Sequence, residues 1–295
     1  MIKPALQGEA FLADVRDAAS SQDDLHIWWL GQSGFLVQWR GSHLLFDPYL
    51  SDSLSRKYAA TDKPHARMTE QVIAPDALDF IDLTTSSHNH TDHLDAETLQ
   101  EIHAENPGVT LVLATANVDF AEDRLGENCP CLLPVDAGET VTSNGFSITA
   151  IPAAHDEIQL DAKGRSYFLG FVAKFGPWAI YHSGDTRWHD KLVPSLLPHS
   201  VDLALVPING YKPERRVAGN LLGVVPQSVV VFCRDPQVRI LQCLCGGSDD
   251  VFDLAGVEQA LTVQVVDQRK GAGGSDHRRA RSVSLNCIHG HRILY

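Results

Sequence analysis

The chain has 295 residues, enough for one large α/β domain or two small ones around a substantial buried core. Its 24 Lys and Arg stand against 37 Asp and Glu, and the net charge of −13 argues against nucleic acid or an anionic membrane as the main partner. No long uncharged apolar run reads as a membrane span, residues 1–19 lack a signal-peptide core, and 6 cysteines in so long a chain make no disulfide framework; a cytoplasmic protein is expected.

In chain order, residues 25–30, 35–39 and 44–46 read as short apolar strands. Gly31-Gln32-Ser33-Gly34 and Arg40-Gly41-Ser42 are the turns between them, and Asp47-Pro48 ends the third. Residues 50–69 are polar and patternless, a long loop placed to overhang a site. Residues 80–85 read as a buried strand, and 95–105 as a helix opened by an Asp95 cap. A strand at 111–114 and a helix at 117–124 follow. Further strands are expected at 140–142, 147–151, 168–175, 179–181 and 202–207, with Asn144-Gly145 and Gly176-Pro177 as turns. Strand pairs alternating with helices predict an α/β protein of two facing sheets with helices outside. Cys129-Pro130-Cys131 and Cys243-Leu244-Cys245 are spaced more tightly than the usual zinc pair and read as ordinary thiols.

The chemistry concentrates in Ser86-Ser87-His88-Asn89-His90-Thr91-Asp92-His93-Leu94-Asp95, between the strand at 80–85 and the helix at 95–105. Three imidazoles and a carboxylate fall within six positions, in the order His-x-His-x-Asp-His, and these are the usual ligands of zinc and related divalent ions. Where a strand runs out into a turn, His88 and His90 can converge on one ion while Asp92 and His93 turn toward a second. A merely polar turn is the bland alternative, and four ligand-type residues at this spacing speak against it. Two further fragments stand just past apolar strands: Ala150-Ile151-Pro152-Ala153-Ala154-His155-Asp156 and Tyr181-His182-Ser183-Gly184-Asp185-Thr186. Taken alone, His155 reads as an ordinary strand-end histidine and Asp185 as a turn former.

Taken together and in this order, the fragments resemble the metallo-β-lactamase superfamily. The finer detail is similar to its cytoplasmic branch that includes the ascorbate-6-phosphate lactonases. Trp29-Leu30-Gly31-Gln32-Ser33-Gly34-Phe35, Leu45-Phe46-Asp47-Pro48, the histidine run, Pro152-Ala153-Ala154-His155, His182-Ser183-Gly184-Asp185-Thr186, and Pro207-Ile208-Asn209-Gly210 with Pro213-Glu214-Arg215-Arg216 carry the likeness. The resemblance implies a four-layer αββα sandwich. It implies two divalent metal ions, manganese or zinc: the first on His88, His90 and His155, the second on Asp92 and His93, with Asp185 bridging. Asp47 would orient a ligand imidazole from behind. Two such ions bring a shared water to a pKa of about 7 and steady a developing oxyanion, so that hydroxide attacks a carbonyl carbon or a phosphorus with no serine or cysteine nucleophile. Asp92 is the candidate for orienting that hydroxide or relaying its proton.

The expected function is therefore metal-dependent hydrolysis of a small anionic ester, lactone or phosphodiester, in the manner of L-ascorbate-6-phosphate lactonase. For substrate contact, Asn209, Arg215 and Arg216 follow a strand end and could fork around a phosphate or carboxylate, and His182 adjoins the Ser-Gly-Asp turn. The Arg pair reads equally as a solvated loop, and His182 equally as a packed core histidine. A phosphodiesterase like the phospholipase D that acts on N-acylphosphatidylethanolamines is similar around residues 88–95 and is the alternative. A metal-binding protein without catalysis is the third reading. Whether the chain forms a homo-oligomer is open.

After Gly219-Asn220-Leu221 the likeness ends. The family pattern implies a helix, a strand and a late histidine completing the second metal site, yet no histidine stands between His199 and His277. His277, His289 and His291 lie in a Gly- and Arg-rich ending. Residues 221–295 hold 8 Lys and Arg against 7 acids, leaving 16 against 30 of the chain's 24 and 37 to the part before. The expected organisation is a hydrolase domain at 1–220 and, at 221–295, either its divergent end or the product of a reading-frame slip. The second ion is then expected to bind weakly or not at all.

Overall fold

The computed structural model describes residues 3–62, 64–65, 67, 69–126, 129 and 131–206, with the backbone of Pro207 and of four later strands. Strands β1 (Leu25–Gly31), β2 (Gly34–Trp39) and β3 (Ser42–Phe46) form an antiparallel meander. Gly31 takes φ +93° at the first turn, a conformation that favours glycine, and a Cβ there would lie 2.8 Å from the Thr69 hydroxyl. Strands β4 (Leu83–Ser86), β5 (Thr110–Ala114) and β6 (Cys131–Val135) extend the sheet in parallel beyond β3. A second sheet is built from β7 (Thr140–Ser143), β8 (Phe146–Pro152), β9 (Leu169–Phe175), β10 (Trp178–His182) and β11 (Leu203–Pro207). The late strands are β12 (Val229–Cys233), beside β11, and β13 (Ala260–Val265), β14 (Arg281–Asn286) and β15 (Arg292–Ile293), which join the first sheet through the parallel pair β14–β1.

Alternation along the strands makes the layers. Phe35 and Val37 of β2, Phe171 and Ala173 of β9 and Ile180 of β10 point into one core between the sheets. Their neighbours Leu36, Val172 and Tyr181 point outward and are covered in turn. Helix α1 (Glu9–Ala18) lays Phe11, Leu12, Val15 and Ala18 on Trp28, Leu30, Leu36 and Leu45. Helices α3 (Ala96–Glu105) and α4 (Val118–Leu125) cover β5 through Leu99, Ala121 and Leu125. On the far side α5 (Leu192–Leu196) sets Leu192 against Ile151, Val172 and Tyr181. Four layers result, with the apolar faces of both sheets buried.

Up to β11 the elements match the expected ones closely, with four differences. Helix α1 arises where only a mixed, non-signal segment was read. The expected loop 50–69 contains a short helix, α2 (Ser53–Tyr58), without a buried side chain. The expected strand 80–85 begins only at Leu83, because Asp82 bonds His43 and the Ile81 amide donates to Asn106 Oδ1 at 2.9 Å. Strand β6 was not expected; its Pro134 is tolerated because β6 lies at the sheet edge.

Asp95 caps α3 as expected, accepting from the Thr98 amide at 3.2 Å. The same helix buries His103, whose Nε2 lies 3.3 Å from Thr84 Oγ1. Burial pulls its pKa down to about 4 from the ordinary 6.5. The unfolded chain therefore binds one more proton between these values, and stability falls as pH drops through that window and not above it. His103→Gln is expected to remove about 3 kcal/mol of the acid-induced loss between pH 7 and 4, read from urea midpoints; equal slopes in both proteins would contradict it.

Candidate metal centre

Four strand ends meet at one edge of the sandwich. Asp47 follows β3, His88 follows β4 after one residue, His155 comes shortly past β8, and Asp185 comes shortly past β10. The sheets are tied there: the Leu169 amide, at the start of β9, donates to the Ser87 carbonyl at 3.0 Å. Gly184 makes the close approach. Its φ is +55°, and a Cβ would lie 2.6 Å from Ser87 Cβ and 2.9 Å from the Leu169 carbonyl. Any larger residue would push Asp185 off the edge.

Two groups of ligand atoms form. One nitrogen from each of His88, His90 and His155 lies within 4.8 Å of the others, and His88, His93 and Asp185 form a second such triple. Asp185 Oδ2 is 3.4 Å from His93 Nε2 and 4.0 Å from His155 Nε2, so one carboxylate oxygen stands between the groups. Asp92 falls outside both triples, with Oδ2 3.9 Å from His93 Nε2. The Phe168 ring packs beside all three imidazoles of the first group, 5.0 Å from His88, 5.9 Å from His90 and 5.2 Å from His155.

Beneath the groups lies a buried carboxylate. Asp47 Oδ1 accepts from Thr85 Oγ1 at 2.9 Å and from the Ser87 amide at 3.0 Å. Its Oδ2 accepts from the Ser87 hydroxyl and from His93 Nδ1 at 2.7 Å. Ser87 has a single hydroxyl proton, and it is directed at Asp47. Its oxygen is then left to accept from His88 Nδ1 at 3.0 Å. Both histidines thus carry a proton on Nδ1, and His88 presents a lone pair on Nε2. That nitrogen is buried and has no hydrogen-bond partner among the described residues. A buried acceptor without a donor, facing other imidazoles, fits a divalent cation.

The electrostatics agree. Burial, then the neighbouring imidazoles, hold His88 well below the ordinary histidine range. Burial also lowers His90, with His155 and His93 adding to it, and lowers His155 against the pull of Asp185. Burial acts downward on His93 too, but Asp185 and Asp92 outweigh it and hold that imidazole well above the usual value. Asp47 is pushed up by burial, yet His182, His93 and Ser87 bring it below the usual carboxylate range. The centre offers neutral imidazoles on one side and attracts positive charge on the other.

The six expected ligand residues, 88, 90, 92, 93, 155 and 185, are thus brought to one edge, with Asp47 behind His93. His182 is a correction. As the inward partner of Ile180 along β10 it points between the sheets, 3% exposed, stacked on Phe46 at 4.9 Å. Its Nε2 lies 3.0 Å from the Ser33 carbonyl. That placement gives it no face toward a substrate. Asn209, Arg215 and Arg216 lie outside the described residues, as do His277, His289 and His291. Ser87, Phe168 and Arg187 were not singled out from sequence, though Ser87 adjoins the histidine run and Arg187 stands two positions past Asp185. Cys129 and Cys131 are free thiols, as read from their spacing. Among the described residues no helix is long and apolar enough to cross a membrane.

An αββα sandwich with a His- and Asp-lined edge defines a class, and comparison with known proteins narrows it. Residues 42–241 match the family described as the β-lactamase superfamily domain. The chain belongs to the metallo-β-lactamase superfamily. A metal-dependent hydrolase of Caldivirga maquilingensis is 27% identical over 222 residues, covering 72% of this chain and 85% of that protein. Another, from Agrobacterium fabrum, is 31% identical over 192 residues, covering 62% and 73%. Among solved structures, Igni18, a metallo hydrolase from Ignicoccus hospitalis, aligns with TM-score 0.43 at 18% identity, covering 70% of this chain and 97% of that one.

Proposed function

We propose that this metal-dependent hydrolase holds two divalent cations, zinc or manganese, and cleaves a small anionic ester, lactone or phosphodiester in the cytoplasm. The observation that carries the reading is the pair of adjoining triples sharing His88, with Asp185 Oδ2 between them. His88, His90 and His155 would hold the first ion; His93, Asp92 and Asp185 would hold the second, with Asp185 shared. Cations bound by these donors supply Lewis acidity and a water acidic enough to ionise near neutral pH.

The chain's own residues do the rest. Asp47 and Ser87 fix the imidazole tautomers, and Phe168 packs beside the histidine triple. Asp92 keeps its side chain 26% exposed while its carbonyl accepts from Ser33 Oγ at 3.3 Å. It is the group that orients the attacking water and takes its proton on a carboxylate oxygen.

A screen of metal-reconstituted protein against lactones and phosphodiesters tests the reading. Asp92→Ala is expected to lower kcat by about a hundred- to ten-thousandfold while the histidine triple keeps its ion. Undiminished turnover in that variant would place the chemistry elsewhere. Turnover of lipid phosphodiesters alone would move the assignment to the phospholipase D-like reading. A tightly held ion with no turnover of any substrate would leave a metal-binding protein without catalysis.

A further inference from the structure

The strand ends that carry His155 and Asp185 are stitched together by a short ladder. The Ala154 amide donates to Thr186 Oγ1 at 2.9 Å, and the Arg187 amide donates to the Ala154 carbonyl at 2.7 Å. This sets Arg187 beside residues 155–156, and its guanidinium extends along them. Nη1 meets the carboxylate of Asp156, whose side chain is 65% exposed and therefore a screened partner. Nη2 is buried and meets no acceptor among the described residues. The Arg187 side chain as a whole is only 19% exposed.

Other cations around the cluster donate to the protein itself, and none of them has a buried donor without a partner among the described residues. Arg124 donates to the carbonyls of Asn89 and Leu94 at 2.8 and 3.1 Å. Arg67 donates to those of Thr69, Ser51 and Tyr49. Lys57 donates to Thr91 Oγ1 at 3.3 Å. Arg187 alone of these four keeps a buried donor unspent. A guanidinium does not lose its proton in proteins, so a buried N–H without an acceptor is destabilising until something supplies one. An oxyanion answers that need best, because it accepts a charge-assisted bond from a planar fork already held in place by Asp156.

We propose that Arg187 is the anion-binding residue of this site, taking a substrate carboxylate or phosphate oxygen on Nη2, with its backbone set next to the His155 strand end by the Ala154 ladder. The inference rests on the hydrolase reading above and deepens it. The substrate's charged group lies on the β8–β10 side, and the bond to be cleaved lies toward Asp185 and Asp92.

The test uses three lactones alike except for a phosphate, a carboxylate or a neutral hydroxymethyl group. Metal-loaded wild type is compared with Arg187→Gln, Arg187→Lys and Asp156→Asn, with metal content and thermal unfolding recorded for each. Arg187→Gln is expected to lower the anionic-to-neutral ratio of kcat/KM by about ten- to a hundredfold, chiefly through KM. Arg187→Lys should fall between, and Asp156→Asn should largely keep the ratio, since Asp156 engages Nη1 and not Nη2. Whichever anionic lactone loses more in Arg187→Gln identifies the group bound. Equal shifts for all three lactones, or parallel effects of Arg187→Gln and Asp156→Asn, would overturn the assignment and leave Arg187 as a strut for Asp156. Should wild type hydrolyse none of them, the substrate class fails separately. Calorimetry with inorganic phosphate then decides Arg187: binding weakened about tenfold in Arg187→Gln upholds it, and equal binding refutes it.

Discussion

Asp185→Ala is expected to release about one ion per chain on dialysis and to lower kcat/KM on the order of a thousandfold. Among the described residues, Asp185 Oδ2 is the carboxylate oxygen that adjoins both sides of the centre, 3.4 Å from His93 Nε2 and 4.0 Å from His155 Nε2. Without it, His93 keeps Asp92 at 3.9 Å and Asp47 on its other nitrogen. Among the charges that raise the His93 imidazole against burial, Asp185 comes first. Its loss therefore weakens the attraction of that pocket for positive charge of any kind, proton or cation. The second site has the fewest imidazoles and suffers most, while His88, His90 and His155 retain theirs. Metal analysis and kinetics on the same preparation measure both effects. Full metal content together with wild-type turnover would show that Asp185 shares no ion.

Much of this centre was legible in the sequence for a physical reason. Each candidate ligand follows the end of an apolar strand, and parallel strands in one sheet end on the same side. His88 after β4, His155 after β8 and Asp185 after β10 could therefore meet once the sheets faced each other. The layers were legible because an unbroken apolar run such as Phe35, Leu36, Val37 marks a strand buried on both faces. His182 was read two ways because adjacency along the chain suggested the site, while the two-residue period of β10 sends it into the core between Phe35 and Phe46. Helix α2 was hidden because it buries no side chain and so leaves no apolar period. Arg187 was hidden for another reason. An arginine after a turn is ordinarily solvated, and only the ladder to Ala154 and the pairing with Asp156 draw this one inward.

Asp47→Asn should weaken metal binding by about ten- to a hundredfold and cost about 2–3 kcal/mol of stability, although it changes scarcely any volume. Asp47 is fully buried and accepts four hydrogen bonds, from Thr85 Oγ1, the Ser87 amide, the Ser87 hydroxyl and His93 Nδ1. Asparagine has one accepting oxygen, which can serve Thr85 and the Ser87 amide. Its NH₂ group would then face the Ser87 hydroxyl and His93 Nδ1–H, donor against donor. The conflict is relieved if His93 moves its proton to Nε2, the nitrogen 3.4 Å from Asp185, and the lone pair that would bind a cation is lost. Ser87 feels the same change, and through it so does Nδ1 of His88, 3.0 Å away, so both groups of ligands loosen together. The carboxyl of Asp47 is held below its usual range despite burial, so its contribution is present above that range and is lost only as acid protonates it. Chelator competition and urea unfolding near pH 7 therefore read the whole effect, and wild-type metal affinity in the variant would show that Asp47 does not set the His93 tautomer.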